Sequence, residues 1–419
     1  MRKFVWIGVL LTLVTLVGAV TLTFWTAPNP NQEAFWKPLV EQWNKEHPDV
    51  QIEWKTIPAA GSSEEAILTA IAAGQAPDIC TNIFSGFAAQ LIEEDVLVPF
   101  DEEFGKDFWV LVGARQMESV IEGWAYKGHH YVIPIYANPM LMWWRKDVLQ
   151  ELGYDKPPRT YSEVYELAKK YAVPGEKYAM IVLKGRNWWD RWFDFITFYY
   201  AASGGKAYID VEKGKAVFNN EYGKKVAEFI YTMFKNKWTA VDWGAEFALN
   251  NLRALGSLMG PWSINWAKEN YPDVYNNLWL APPLVPDDYP TNAPIKTFAD
   301  TKGLVMFKSC KHKKEAFEFI KWVFSNPQND VKWIEKTKMP PARADLGTNP
   351  LFAKFMEEDP YFAAYASQVG NAVPPALITT TIDVQEAMTT FLTEPLMYLK
   401  ATPEEALSKA VKEINKLLW

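Results

Sequence analysis

The stretch TLTFWTAPNPNQEAFWKPLVEQWNKEHPDVQIEW, at residues 21–54, decides the fold of this chain. Residues 21–25 are apolar and β-branched, which is typical of a buried strand. Four large apolar side chains then recur at helical spacing; they are Trp36, Leu39, Val40 and Trp43. Residues 50–54 alternate between apolar and polar side chains and predict a second strand. The stretch therefore predicts a strand, a helix and a second strand in succession.

The same pattern continues along the chain. Ser62 and Glu65 are spaced as a capping box, and Gly74 follows where that helix should end. Residues 77–80 predict a third strand. The order β-α-β-α-β indicates an α/β fold with a largely parallel sheet. Further capping boxes are predicted at Thr160 with Glu163 and at Thr402 with Glu405.

Composition narrows the class of protein. The chain has 419 residues, of which 49% are hydrophobic and 22% are charged, so two globular lobes or domains are expected. Its net charge of −7 and its scattered basic residues give no support to nucleic-acid binding. Some of the 20 Trp, 19 Tyr and 24 Phe residues are expected in the core, and so many rings also favour a ring-lined binding surface.

Residues 1–19 have the order of a secretory signal peptide. Arg2 and Lys3 precede an apolar run, and Gly18 and Ala19 supply small residues where cleavage is expected. An uncleaved membrane anchor is the alternative, because the apolar run approaches the length of a spanning helix. The mature protein is expected to be periplasmic or otherwise extracytoplasmic.

Motifs for catalysis and cofactor binding are absent from the sequence. There is no G-x-S-x-G and no H-E-x-x-H motif, and the pair His129 and His130 supplies too few ligands for a metal site. No cofactor and no metal are therefore expected. Asp190 and Asp194 are four residues apart and keep one alternative open, a secreted enzyme that acts on polysaccharide.

Several segments together resemble the bacterial extracellular solute-binding proteins of the sugar-binding type. Residues 35–58 resemble the first helix and second strand of that family, and residues 258–262, LMGPW, match its Gly-Pro-Trp element. The other matching segments are residues 70–100, 128–168, 303–345 and 403–418. The resemblance covers essentially the whole mature chain in the right order.

The resemblance implies two lobes, each a mostly parallel sheet flanked by helices, with a ligand cleft between them. It implies an N-terminal lobe of residues 20–136 and 299–325 and a C-terminal lobe of residues 137–298 and 326–419. The chain would cross between lobes near Tyr136, Asp300 and Ser325. Cys80 and Cys310 would then lie at opposite ends of their strands and stay unpaired.

The resemblance also implies a function. The protein would be a monomeric receptor that closes on a carbohydrate and delivers it to the permease of an ABC transporter. The many tryptophans favour an oligosaccharide as that carbohydrate. The family has no catalytic residues. A receptor of the same fold for a non-sugar ligand remains an alternative.

Candidate ligand contacts are residues that follow predicted strands, where an α/β sheet leaves a crevice. Sugar hydroxyls need hydrogen-bonding partners, and sugar C–H faces suit aromatic rings. The polar candidates are Asn29, Asn82, Ser85, Asn138, Asp190, Asp300 and Arg343, and the aromatic candidates are Tyr136, Trp188, Trp189, Trp192 and Trp262.

Each candidate also has a structural explanation. Asn29 and Asp300 are suited to turns, Asn82 and Ser85 to local capping, and Tyr136 and Asn138 to strand packing. Trp262 suits a core, and Arg343 suits pairing with a structural carboxylate. Trp188, Trp189 and Trp192 cannot all share one buried helix face, which favours an exposed ring. The segment after Val373 lacks the aromatic residue that the family often carries there, so the identity of the sugar is not carried over.

Overall fold

A computed structural model describes residues 19–58, 63–183, 193–244 and 246–418 of the chain. The strands in these residues are β1 Val20–Thr26, β2 Val50–Thr56, β3 Ile79–Ile83, β4 Ala125–Tyr126, β5 His129–His130, β6 Ile133–Pro139, β7 Leu141–Arg145, β8 Tyr178–Met180, β9 Ile209–Asp210, β10 Lys215–Ala216, β11 Ala254–Met259, β12 Leu278–Ala281, β13 Thr297–Met306 and β14 Ala372–Val373.

The α-helices in the same residues are α1 Pro30–Glu46, α2 Ser63–Ala72, α3 Ser85–Glu93, α4 Phe100–Phe104, α5 Lys106–Ala114, α6 Glu118–Ile121, α7 Lys146–Glu151, α8 Tyr161–Tyr171, α9 Phe193–Ser203, α10 Glu221–Lys235, α11 Ser263–Asn270, α12 Pro272–Asn276, α13 Lys313–Phe324, α14 Pro327–Thr337, α15 Ala353–Glu358, α16 Pro360–Ala366, α17 Thr381–Met388, α18 Glu394–Met397 and α19 Pro403–Ile414. Short 3-10 segments occur at Glu122–Trp124, Pro350–Phe352 and Val369–Asn371, and a π-helical turn occurs at Thr389–Thr393.

Six strands form the sheet of the first lobe. The order is β14-β13-β3-β1-β2, and β6 also pairs with β13. β1 runs parallel to β2 and β3, whereas β13 runs antiparallel to β3 and β6. The carboxyl ends of β1, β2, β3 and β6 therefore meet at one edge of this sheet.

Aromatic packing holds the helices of the first lobe against its sheet. Trp36 of α1 is fully buried and meets Phe24 of β1 edge to face, with 5.0 Å between ring centroids. Phe35 of α1 meets Trp333 of α14 at 5.1 Å. Such edge-to-face pairs stabilise beyond the area they bury. The predicted helical stripe of α1 is confirmed, since all four of its large side chains are buried.

The sheet of the second lobe has the order β12-β7-β11-β8. β11 is parallel to β8, but β7 runs antiparallel to both β11 and β12. The two-lobed α/β fold is confirmed, and it differs from the prediction in that this second sheet is mixed. The reason is that β7 continues directly from β6 and so enters the second lobe with its direction already set.

The predicted capping boxes can be checked at two of three places. Thr160 with Glu163 begins α8, and Thr402 with Glu405 begins α19; both make the reciprocal hydrogen bonds of a capping box. Ser62 lies outside the described residues. Both confirmed boxes show that the local sequence fixes where these helices begin.

The chain passes between the lobes on adjacent strands. Only Met140 separates β6 of the first sheet from β7 of the second, and its backbone N–H donates to Phe298 O on β13 at 2.9 Å. The expected crossing near Ser325 does not occur there. Helix α14, which follows Ser325, packs on α1 through Trp333, and Ala372 still pairs with Thr297 of the first sheet.

The later helices belong to the second lobe. Val384, Met388 and Leu392 pack in the same apolar cluster as Phe229 of α10. We therefore propose that the first lobe comprises residues 20–139 and 297–373 and that the second comprises residues 140–296 and 374–418. Helix α16 touches both lobes, because Phe362 packs with the first and Tyr365 with the second.

The lobes also touch away from the crossing strands. A Cβ added to Gly86 at the start of α3 would lie 2.6 Å from Thr381 Oγ1, and one added to Gly123 would lie 2.5 Å from Pro374. Leu377 packs into the first-lobe cluster that contains Phe87. Glycine at these positions lets the backbones of the two lobes approach closely.

Cys80 and Cys310 are both buried free cysteines. The argument that placed them at opposite ends of their strands is wrong. Cys80 pairs with Val305 near the amino end of β3, and Cys310 follows the carboxyl end of the antiparallel β13, so both lie toward the same edge. Burial raises the pKa of the Cys310 thiol to about 12, which keeps it protonated and unreactive at neutral pH.

Candidate functional site

Polar side chains gather at the edge of the first lobe where β3, β6 and β13 meet. Lys302 Nζ donates to Asn82 Oδ1 at 3.1 Å, and Asn82 Nδ2 donates to Ser63 Oγ at 3.1 Å. Asn82 has φ of 66°, a left-handed conformation that Asn tolerates better than most residues. The backbone therefore turns at the end of β3 and places a polar side chain toward β13.

Asp300 and Asn138 lie directly opposite each other on β13 and β6. Asp300 is partly exposed as a residue, yet the burial of its carboxyl raises the pKa, while nearby Lys302 and a hydrogen bond from Asn138 act in the opposite direction. Tyr136 and Lys302 form the next opposed pair on the same two strands. The four side chains thus lie on one face of the sheet, since residues two apart on a strand share a face.

Two buried polar atoms at this edge, one near the end of β6 and one at the start of α3, have no hydrogen-bond partner in the described part of the chain. They are Asn138 Oδ1 and Ser85 Oγ, on residues that are 3% and 1% exposed. A buried polar atom without a partner costs about 1–3 kcal/mol. A ligand hydroxyl that reached them would remove this cost.

Tyr136 and Asn29 have structural contacts as well. Tyr136 is buried and its ring stacks on that of Trp333 with 5.8 Å between centroids. Burial raises the pKa of the Tyr136 hydroxyl well above its usual value, and the Asp300 carboxyl adds to this shift. Asn29 is exposed and caps α1, where its Oδ1 accepts from the N–H groups of Asn31 and Gln32. Both residues lie at the expected edge of the first sheet. Their observed contacts are those of the structural alternatives, which are strand packing for Tyr136 and turn formation for Asn29.

Trp262 presents an aromatic surface at the edge of the second lobe. It follows the carboxyl end of β11, begins α11, and is 50% exposed. Its six-membered ring lies over Gly260, where an added Cβ would be 2.2 Å from the ring. Glycine at residue 260 is therefore required for the indole to lie flat against the turn.

Hydrogen bonds of a buried tyrosine stabilise this turn. The Tyr365 hydroxyl of α16 donates to Met259 O at 2.8 Å and accepts from Trp143 Nε1 of β7 at 2.7 Å. Burial raises the pKa of Tyr365 well above its usual value, so the hydroxyl remains a donor. These bonds fix the backbone that carries Trp262.

Arg343 does not lie free at the cleft edge. Its Nη1 donates to Asp330 Oδ2 at 2.9 Å, and its Nε and Nη2 donate to the two oxygens of Asp345 at 2.6 and 2.9 Å. Arg115 donates to the other oxygen of Asp330 at 3.0 Å. All three guanidinium nitrogens of Arg343 are bonded to carboxylates, and the residue is only 2% exposed. The expectation that Arg343 contacts the ligand is therefore wrong, and its alternative, pairing with structural carboxylates, describes it.

Trp188, Trp189, Asp190 and Trp192 lie outside the described residues. Asp194, the partner proposed for Asp190 in an enzyme, lies in α9 and is 5% exposed. Its Oδ2 accepts from the backbone N–H of Leu183 at 2.8 Å, which ties the helix to the segment after β8. In the described residues, no group of three or more His, Cys, Asp or Glu side chains is arranged to hold a metal.

Sequence reasoning missed Lys302 and Tyr365. Lys302 had a usable signal, because it lies two residues after Asp300 on a predicted crossing strand and so shares its face. Tyr365 had none, since its partners Trp143 and Met259 are 222 and 106 residues away along the chain.

The sequence profile described as "Bacterial extracellular solute-binding protein" matches residues 27–330. The resemblance is thereby confirmed: the chain belongs to the bacterial extracellular solute-binding protein family. Proteins of this family are binding proteins rather than enzymes. Among the described residues, no helix has the length and apolar character needed to cross a membrane.

Three similar proteins extend this finding. A maltotriose-binding protein from Pyrococcus abyssi is 26% identical over 95% of this chain and 83% of its own length. An arabinooligosaccharide-binding protein from Halalkalibacterium halodurans is 22% identical over 95% of this chain and 89% of its own. The crystal structure of an uncharacterized protein from Listeria monocytogenes is 33% identical, has a TM-score of 0.89, and covers 96% of this chain and all of that one.

Proposed function

We propose that this protein is an extracytoplasmic receptor that binds a carbohydrate, in the form of an oligosaccharide, in the cleft between its lobes. Closure of the lobes about the crossing strands buries the ligand. The closed shape is then the form that the permease of an ABC transporter recognises. Occupancy becomes a signal because the ligand binds the closed form better than the open one.

The exposed indole of Trp262 is the observation that carries this proposal. A single exposed tryptophan is common on protein surfaces, but this one is held in place by a glycine and by a hydrogen-bonded turn at the carboxyl end of β11. The face of an indole suits the C–H face of a sugar ring. No catalytic group is needed for such a contact.

The polar edge of the first lobe supports the same ligand class. Asn82, Asn138 and Lys302 offer amide and ammonium donors, and Asn138 Oδ1 and Ser85 Oγ offer acceptors without partners. A sugar presents several hydroxyls that both donate and accept. A mixed set of donors and acceptors matches that pattern better than it matches a purely apolar solute.

The named ligands of the similar proteins favour an oligosaccharide. One is named for maltotriose and another for arabinooligosaccharides, and each aligns with this chain over 95% of its length. These ligands share neutral pyranose or furanose rings and many hydroxyls. We extend that shared chemistry, and no single sugar, to this protein.

Export and partners follow from the same proposal. Residues 1–19 act as a signal peptide that is cleaved near Ala19, and the mature protein works as a monomer with a membrane permease. The protein is not an enzyme. Asp194 supports this, because a buried carboxylate that accepts from the backbone N–H of Leu183 is suited to a structural role.

Isothermal calorimetry against a panel of neutral mono- and oligosaccharides tests the proposal. We expect at least one oligosaccharide to bind with Kd below about 1 mM, which corresponds to about −4 kcal/mol. The same mixtures, analysed by chromatography after overnight incubation, should contain no shorter products. Binding of a peptide or polyamine without any sugar, or the appearance of shortened sugars, would contradict the proposal.

Trp262→Ala, with Trp266→Ala as its matched control, tests the site. Trp266 is 40% exposed on the same helix but packs on Phe247 and Tyr271. We expect Trp262→Ala to lose about 2 kcal/mol or more of affinity, as for an aromatic anchor, and to keep its stability. Trp266→Ala should bind normally; equal losses in both variants would remove Trp262 from the site.

A further inference from the structure

We propose a second ligand site on the second lobe, outside the cleft, that takes a neutral saccharide chain. It is an open groove of about 950 Å³ between α8 and α10, closed at its ends by residues 286–288 and by the start of α19. Its described lining comes entirely from the second lobe and includes neither Trp262 nor its turn. This groove is separate from the cleft of the proposed function and does not depend on it.

Aromatic rings line the groove. Tyr161 of α8 stacks on Phe229 of α10 with 4.3 Å between centroids and 15° between planes, and Tyr165 lies 5.8 Å from the same ring. Tyr165 and Tyr231 remain partly exposed. Flat rings with a polar tip offer a sugar both a C–H contact and a hydrogen bond.

Tyr161 adds an unmet hydrogen bond. The residue is 5% exposed, and its hydroxyl has no partner in the described part of the chain. The neighbouring Asp287 carboxylate is engaged elsewhere, since it accepts from Ser162 N at 3.2 Å and from Ser162 Oγ at 2.8 Å. Tyr161 lines the groove, and a ligand hydroxyl that reached its covered oxygen would complete its bonding.

The charges around the groove offset one another. Three lysines, 224, 225 and 235, face four carboxylates at residues 228, 287, 288 and 404. Lys225 Nζ pairs with Asp288 Oδ2 at 2.6 Å. A groove whose charges nearly cancel has no field that selects an ion, whereas its many donors and acceptors suit a neutral polyhydroxylated chain.

Native electrophoresis through gels that contain soluble starch, arabinan or galactan tests the groove. The full-length mature protein with Trp262→Ala is used throughout, so that the cleft is weakened. We expect at least one polysaccharide to slow this protein. Adding Tyr231→Ala, or independently Tyr165→Ala, should weaken the retardation constant about two- to tenfold, the effect of losing one aromatic contact.

Tyr398→Ala is the matched control, because Tyr398 is an exposed tyrosine of the same lobe outside the groove. It should leave the retardation unchanged, and thermal unfolding should show that every variant is folded. Unslowed migration in all three gels, or equal retardation with and without Tyr231→Ala, would overturn the site. So would retardation that occurs only in a gel containing denatured casein, which would assign the groove to peptides. Failure of the cleft is read separately, from calorimetry with short oligosaccharides.

Discussion

Two polar clusters lie on the same strand, β6, and they differ in how completely their hydrogen bonds are made. Near its start, Arg115 donates to the carbonyls of Pro134 and Ile135 and joins Asp330, Arg343 and Asp345. Near its end, Asn138 and Asp300 lie with Lys302 and Asn82. We call the first group the ion-pair cluster and the second the cleft cluster.

The difference separates polar groups that hold the fold from those that we propose as ligand contacts. In the ion-pair cluster, both oxygens of Asp330 and all three nitrogens of Arg343 are bonded within the protein, although Arg115 Nε has no partner in the described residues. In the cleft cluster, Asn138 Oδ1 has no partner in the described residues, and the same holds for Ser85 Oγ nearby. A carboxylate or guanidinium whose polar atoms are all bonded has none left for a sugar, as with Asp330 and Arg343, whereas an unpartnered amide oxygen or hydroxyl can still bond to one.

The largest effect should come from breaking the ion-pair cluster with Asp330→Ala. The change removes the carboxylate that pairs with the buried guanidinium of Arg115 and with Nη1 of Arg343. We expect a loss of about 3–5 kcal/mol in the free energy of unfolding, because a buried charge loses its partner. Urea denaturation measures it. Calorimetry on the folded fraction should show an unchanged ligand affinity, and a selective loss of affinity would mean that this cluster does contact the ligand.

Asn138→Ala should show the reverse of Asp330→Ala, namely a loss of ligand affinity with a smaller change in stability. Removing the amide, whose Oδ1 has no partner in the described residues, takes away a proposed ligand contact, so affinity should fall by about 1–3 kcal/mol. The free energy of unfolding should change by less than it does in Asp330→Ala, since one of the lost polar atoms had no partner. Calorimetry and urea denaturation on the same preparation measure the loss of affinity and the loss of stability separately. A loss of stability without a loss of affinity would show that Asn138 holds the fold and does not contact the ligand.

Ser85→Ala sharpens the comparison with a smaller change. The methyl group fits where the hydroxyl was, and removal of a buried hydroxyl without a partner should leave stability unchanged or slightly raised. Affinity should fall by about 1 kcal/mol, the net value of one hydrogen bond. If denaturation instead shows a clear loss of stability, the hydroxyl is bonded within the protein.

The smallest effect concerns the pH dependence of stability through Asp300. Burial raises the pKa of this carboxyl above that of the unfolded chain, so the folded protein binds the proton more tightly. The ionised carboxylate therefore lowers the free energy of unfolding above the folded-state pKa, and this loss diminishes as the pH falls from that pKa to the lower pKa of the unfolded chain.

Asp300→Asn has no such proton to bind. The free energy of unfolding of the variant minus that of the wild type should therefore rise with pH from about 4, the ordinary pKa of an aspartate, up to the raised pKa of the folded protein. Urea denaturation at four pH values measures the difference. A difference that stays constant or falls as the pH increases would show that the pKa of Asp300 is not raised in the folded protein.

The local parts of the fold could be predicted from the sequence because they depend on near neighbours. Thr160 with Glu163 marks the start of α8, and the spacing of Trp36, Leu39, Val40 and Trp43 marks the buried face of α1. The position of Trp262 at the end of a strand and its exposure could be anticipated in the same way. The third passage between the lobes could not, because it depends on whether Trp333 packs against Phe35, nearly three hundred positions away.

The amino-acid sequence by itself determined the order of helices and strands, the family, and the edge of each sheet at which the candidate binding residues collect. Only the tertiary structure decided that Arg343 is bonded to Asp330 and Arg115, while Lys302 reaches Asn82 at the cleft. The physical reason is range. Helix caps and apolar periodicity act over a few residues, whereas the partner of a buried charge is chosen by a fold that brings positions 115, 330 and 343 together.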